Sequence, residues 1–320
     1  MSRFVKKLFL FFVFNLLLTI GLSVSYLVYY KITFTDIPPP NFSNSYSYNE
    51  KMKFARKASI RPDVIAIGSS MSLNNLDSET IKKRLNTDSY LNLSSWGMSL
   101  KDIYNLLKIQ SEIHKPHTLI MSSGIVDFQE VDKNVDYVTL EEYLRSNEKE
   151  EILFHLKCFN LKYYISKFKY AKFVRASVHE YEYLGYDKYG AVNFIGKGFQ
   201  IDSSRWNRDY MNFDSIETSY YSYLDSITTF CKNKNISLLF FESPYRKGLY
   251  SKFDAEKSER LNSHIQKAEG IVNNDDHIFV NANEIMWEDT LFVDGTHLNA
   301  MGAKLFTEYC LDKVKLHKRI

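Results

Sequence analysis

Three short stretches hold residue types that can do chemistry together. In DVIAIGSSMSLNNLD, residues 63–77, an apolar run ends at Gly68-Ser69-Ser70. Near the other end of the chain, Asp294-Gly295-Thr296-His297 precedes an amphipathic stretch. Between them lie Ser94-Ser95-Trp96-Gly97 and Ser122-Ser123-Gly124-Ile125-Val126-Asp127. A serine hydroxyl is a weak nucleophile until a base takes its proton. An Asp and a His three residues apart in one turn can point the same way. The carboxylate then holds the imidazole Nδ1–H and leaves Nε2 for a serine hydroxyl. The candidate roles are Ser70 as nucleophile, His297 as base and Asp294 as orienting acid. The alternative for each piece alone is structural. Ser69 and Ser70 would cap a helix, and Asp-Gly would form an ordinary turn.

These pieces work only if the fold gathers them. Apolar segments of strand type are Asp63–Ile67, Tyr90–Leu93, Thr118–Ser122, Ile236–Phe241 and His277–Val280. Helical segments alternate with them. Asp77 N-caps one to about Leu85, and Ser99 with Asp102 forms a capping box for another to about Ile113. Ser219–Asn233 carries Tyr220, Tyr223, Leu224, Ile227 and Phe230 on one face. Asp254–Ala268 follows, and Asn299 opens a last helix with Ala303, Phe306, Cys310 and Val314 at three-to-four spacing. Alternating strands and helices predict a three-layer α/β/α fold with a mainly parallel sheet. In such folds the ligand site lies at the carboxyl ends of the strands. All the chemical stretches fall there.

Residues 128–214 interrupt the alternation. They are too many for an ordinary loop and read as a partly helical insertion or lid at the strand ends. Glu242 and Arg246, in FFESPYR after the fourth strand, and Asp127 are candidate substrate contacts. Asp127 is equally suited to hold the serine loop.

Leu8 to Tyr30 is an uncharged run of 23 residues. At 1.5 Å per residue it reaches roughly 35 Å, enough for a hydrocarbon core of about 30 Å. Arg3, Lys6 and Lys7 precede it and only Lys31 follows closely. The positive-inside bias predicts residues 1–30 as a cytoplasmic tip and anchor, with the remainder extracytoplasmic. A cleaved signal peptide ending near Ser23-Val24-Ser25 is the alternative; the apolar run past it favours an anchor. Residues 31–52, with three prolines and Ser/Asn-rich sequence, read as a linker. Residues 53–320 are the expected domain.

The net charge of +3 is small and the basic residues are dispersed, which argues against nucleic acid as a partner. The apolar and charged fractions, 45% and 25%, are those of an ordinary globular protein. Cys158, Cys231 and Cys310 form no C-x-x-C pair, and Cys231 and Cys310 fall on buried helix positions. No H-E-x-x-H or His/Asp cluster suggests a metal, and no cofactor is called for.

GSS after the first strand, SSWG after the second and DGTH before HLNAMGAKLF resemble the SGNH (GDSL-type) hydrolase superfamily over roughly residues 60–315. The resemblance implies a flavodoxin-like fold and a Ser70-His297-Asp294 triad, with the backbone N–H groups of Ser70 and Gly97 holding the oxyanion. It departs at two places. Ser69 stands where the family has Asp. Val126 stands where the family has an Asn that donates to the oxyanion, and Ser122 or Ser123 is then a candidate substitute donor. The anchor, the GSS turn and ESPYR resemble membrane-anchored members that handle acyl groups on surface polymers, including those of teichoic-acid D-alanylation. An acylated surface polysaccharide is then the expected substrate, and a membrane acyltransferase a candidate partner. The rival expectation is a catalytically weak polymer-binding or assembly factor of the same shape.

Overall fold

The computed structural model describes residues 2–29, 37–58, 61–128, 133–177, 180–196, 203–209 and 218–317. Contacts divide the chain into two units. One holds Met1–Pro38 and Leu161–Phe173, the other Pro39–Asn160 and Val174–Ile320.

The first unit contains helix α1, Ser2–Tyr29. Its stretch Arg3–Tyr26 has a mean hydropathy of 2.3, none of it is buried, and it is long and apolar enough to cross a membrane.

The second unit opens with α2, Tyr46–Lys57, whose N-cap Ser45 accepts from the Tyr48 N–H. This corrects the linker boundary. Residues 46–52 are not a tether, because Tyr48 and Met52 are fully buried in the core. Next come β1 (Val64–Ala66), α3 (Ser70–Asn75), α4 (Ser78–Leu85), β2 (Tyr90–Asn92), α5 (Leu100–His114) and β3 (Thr118–Ser123). Asp77 caps α4, and Ser99 and Asp102 close the capping box of α5, as their spacing predicts.

The interrupting stretch carries α6 (Tyr137–Arg145), α7 (Glu151–Lys157) and α8 (Leu161–Ala176); several of its residues lie outside those described. The alternation then resumes with α9 (Thr218–Asn233), β4 (Ser237–Glu242), α10 (Lys247–Tyr250), α11 (Ala255–Asn274), β5 (Ile278–Asn281) and α12 (Ala300–His317). Asn299 accepts the Gly302 N–H at 3.0 Å and so caps α12.

The five strands are all parallel, in the order β2-β1-β3-β4-β5. Side-chain alternation sorts the core into two layers. Ile65, Leu119, Leu238 and Phe240 face α5, α9 and α11, through Leu106, Leu224 and Leu261. Val64, Ala66, Ile120 and Phe241 face α4 and α12, through Ile81, Ala303, Phe306 and Cys310. The chain leaves β1 toward β2 on one side and returns to β3 on the other. The carboxyl end of β1 is therefore the switch point, where a parallel sheet opens a crevice.

Candidate active site

Ser70 sits at that switch point, as the first residue of α3. Ser69 is the N-cap, its Oγ accepting the Met71 N–H at 3.1 Å. The turn is tight because Ser72 reaches across to β3. Its Oγ donates to the Ser122 carbonyl at 2.8 Å and accepts the Ser122 N–H at 2.7 Å. A Cβ on residue 68 would lie 2.1 Å from that Oγ, so only glycine fits there.

The His297 loop is built around Asp294. Carboxylate Oδ1 accepts the backbone N–H groups of Thr296 at 2.9 Å and His297 at 2.7 Å. Oδ2 accepts His297 Nδ1–H at 2.8 Å. A carboxylate only accepts, so this bond sets the tautomer and leaves Nε2 as an acceptor. Ser70 Oγ lies 2.9 Å from Nε2. The structure thus brings Ser70, His297 and Asp294 into one hydrogen-bonded line. Burial would push the Asp294 carboxyl up, but the His297 ring and the backbone N–H groups hold it below the ordinary carboxylate range.

Asn75, at the last turn of α3, clamps the two loops. Its Nδ2 donates to the Thr296 carbonyl at 3.2 Å, and its Oδ1 accepts the Leu298 N–H at 2.9 Å. No sequence motif singles out Asn75; the signal available is the density of amide and hydroxyl side chains in SMSLNN. Tyr181 falls in the stretch 128–214 that the sequence marks as an insertion or lid, with no role of its own singled out. Its hydroxyl lies 3.0 Å from Nε2 and 3.1 Å from Nδ1 of the imidazole. Arg205 stacks over the Tyr181 ring at 3.9 Å.

A cavity of about 350 Å³ opens at Ser70 and His297, walled by Trp96, Gly97, Val126, Asp127, Tyr181 and Arg205 among others. Gly97 has φ +58°, a conformation that favours glycine. Val126 lines this cavity, and its side chain has no group that could donate a hydrogen bond there. Ser122 and Ser123 do not replace it as donors there. Ser122 Oγ pairs with Ser243 Oγ at 2.8 Å, and Ser123 Oγ donates to Asp127 at 3.0 Å. Asp127 lines the cavity and also accepts the Gly124 N–H at 3.2 Å. Burial pushes its carboxyl up to about 6, against the pull of bonds from Ser69, Ser123 and Gly124. It therefore ties the serine turn to the end of β3.

The two remaining candidates do not reach the cavity. Glu242 is fully buried, its carboxylate 3.4 Å from His264 on α11. Arg246 is 2% exposed and spans Asp289 at 2.8 Å, Asn207 at 2.8 Å and the Trp206 carbonyl at 2.9 Å. Both stand at the sheet's carboxyl edge, but one points into the helical layer and the other braces loops.

Among the described residues no cluster of three or more His, Cys, Asp or Glu has the arrangement of a metal site. Cys231 and Cys310 are buried free thiols, and Cys158 is a free, half-buried one.

No family model and no curated protein sequence matches the chain. Solved structures do. A lipase/acylhydrolase from Enterococcus faecalis is 10% identical, with 79% of this chain and 96% of that one covered and a TM-score of 0.41. A GDSL-like lipase from Bacteroides thetaiotaomicron is 11% identical, with 85% and 98% covered and a TM-score of 0.43. A catalytic mutant of an acetylxylan esterase from Geobacillus stearothermophilus is 10% identical, with 78% and 92% covered and a TM-score of 0.42.

Proposed function

We propose that the chain is a membrane-anchored serine esterase or acyltransferase of the SGNH type, acting outside the cytoplasm on acyl esters of a surface polysaccharide. The observation that carries the reading is the line Ser70 Oγ–His297 Nε2–Nδ1–Asp294 at 2.9 and 2.8 Å, opening on a cavity. Ser70 Oγ attacks the ester carbonyl while Nε2 takes its proton. The Ser70 and Gly97 N–H groups hold the oxyanion. His297 returns the proton to the departing sugar oxygen, leaving an acyl-serine. Water, or a second sugar hydroxyl, gives up a proton to Nε2, attacks the acyl carbon and frees Ser70. The anchor, the basic residues before it and the surface-polymer resemblance support the location and the substrate class.

Val126 favours a second reading, a catalytically weak polymer-binding or assembly factor that partners a membrane acyltransferase. Losing one oxyanion donor costs about 10²–10³ in rate in other serine enzymes. Ser70→Ala separates the two. Under the esterase reading it abolishes turnover of p-nitrophenyl acetate by the full chain in detergent and changes the acyl content of the surface polymer in cells. If both measures stay at the wild-type level, catalysis through Ser70 is wrong.

A further inference from the structure

The Trp96–Gly97 peptide sits at the centre of a turn closed by a 3.3 Å bond from the Met98 N–H to the Ser95 carbonyl. Gly97 is the third residue of that turn, and its positive φ is what a type II turn demands; in a type I turn the same position has a negative φ. The two types differ by a rotation of the central peptide through about half a circle. Glycine tolerates both, so the local sequence leaves the orientation of this peptide open.

The flanks of the turn are tied down. Ser95 N–H donates to the Gly68 carbonyl at 3.1 Å, and Ser99 caps α5. The central peptide has one hold among the described residues: Lys133 Nζ donates to the Trp96 carbonyl at 2.8 Å. Lys133 is 6% exposed and does not line the cavity, whereas Trp96 and Gly97 do. In a planar trans peptide, C=O and N–H point in opposite directions. Holding the Trp96 carbonyl outward therefore turns the Gly97 N–H toward the serine.

We propose that Lys133 is a positioning residue that locks the Trp96–Gly97 peptide in its type II orientation and so keeps the Gly97 N–H aimed at the oxyanion site. This rests on the esterase reading for the role of that N–H, but the lock itself is a statement about backbone orientation. It also explains how a site with Val126 in its wall retains a directed donor: the direction comes from outside the cavity.

Lys133 is faced by the Asp102 carboxylate of α5, which takes the Tyr137 hydroxyl of α6 at 2.6 Å, with the Tyr48 phenol of α2 close to both. Burial pulls the ammonium down to about 8, and Asp102 pulls it the other way. The cation, and with it the charge-assisted bond, is present below that pH and lost above it.

The test uses the full chain in detergent with p-nitrophenyl acetate as probe and Ser70→Ala as background. Lys133→Met should lower kcat by about 10²-fold, the scale of one oxyanion donor, with KM within about twofold. Wild-type kcat should fall as pH rises through about 8. Lys133→Arg, which keeps its charge, should stay active at pH 9. A residue that only filled space would give neither the alkaline fall nor its rescue. With 12 glycines in the chain, glycine-selective ¹⁵N labelling reads the Gly97 amide directly, assigned by its loss in Gly97→Ala. That signal should move in Lys133→Met, and in the wild type over the same pH range as kcat. If Lys133→Met keeps kcat within threefold while Ser70→Ala is dead, the lock is overturned and the triad stands. If Ser70→Ala is as active as wild type, the esterase reading falls and the Gly97 signal alone decides: movement supports the lock, a fixed signal overturns it. Should Lys133→Met fail to fold, the wild-type pH profile and Gly97 signal decide in the same way.

Discussion

Replacing Asp294 by Asn tests whether the line from Ser70 to Asp294 works as a catalytic unit, because the change alters one proton and little else. Asn Oδ1 can still accept the Thr296 and His297 N–H groups now at 2.9 and 2.7 Å, so the loop keeps its shape. The Asn NH₂ then faces His297 Nδ1 at the position where Oδ2 now accepts at 2.8 Å. Two donors cannot share that contact, so Nδ1 becomes the acceptor and the ring proton moves to Nε2. Nε2 is the atom 2.9 Å from Ser70 Oγ, and a protonated Nε2 cannot take the serine proton. In a serine protease the same exchange of the triad Asp for Asn lowers kcat by about 10⁴-fold. Here a loss of about 10³–10⁴, or roughly 4–5.5 kcal/mol of transition-state stabilisation, is expected. The fold should weaken by only about 1–2 kcal/mol, the cost of exchanging charge-assisted for neutral bonds. The pH dependence has a definite sign. Asp294 is held below its ordinary value, so its contribution to stability is complete above the unfolded carboxyl range of about 4 and is lost as pH falls through its lower folded value. Asp294→Asn should lack that acid-side loss. The assays are kcat for p-nitrophenyl acetate at pH 7 and thermal melts from pH 7 down to about 2, on the full chain in detergent. A kcat within tenfold of wild type, in a protein that melts normally, would refute the reasoning.

Three further outcomes follow from single contacts. Gly68→Ala places a Cβ 2.1 Å from Ser72 Oγ, and relieving it displaces the Ser72 bonds to β3; a loss of about 1–3 kcal/mol in stability and a collapse of kcat are expected, read by melting and turnover. Asp127, pushed up to about 6, folds more readily neutral, so stability should decline as pH rises from about 4 through 6. Asp127→Asn should remove that decline and raise stability at pH 7.5 by about 1–3 kcal/mol while changing little at pH 4; equal melting shifts at both pH values would contradict this. A reporter fused after Ile320 should read as extracytoplasmic, with the full-length protein in the membrane fraction; recovery of a soluble form beginning near Tyr26 would favour a cleaved signal instead.

Much of the scaffold is written locally. Strand and helix segments alternate in the sequence as they do in space, and Asp77, Ser99 with Asp102, and Asn299 cap the helices their spacing points to. These features are legible because a cap bonds within three or four residues and an amphipathic face repeats within one helix. The placement of Ser70, Gly97 and Asp294-x-x-His297 after strands is legible for the same reason, since parallel strands must present their carboxyl ends together.

Local sequence therefore settles which elements form and which chemical groups stand at the sheet's edge. Which of those groups meet is a matter of how the layers pack. Glu242 ends a strand just as Ser123 does and pairs with it in register, yet it turns into the helical layer toward His264, 22 residues away on α11. Arg246 is drawn to Asp289 and the residue 206–207 loop rather than the cavity. The stretch read as a tether becomes helix because Tyr48 and Met52 are buried in a core that α6, about ninety residues on, also enters. Tyr181 against His297, Asn75 between two loops, and Lys133 behind the Trp96 carbonyl are contacts across 116, 221 and 37 residues. Bonds of that span depend on how layers stack and loops cross, and no local spacing encodes them.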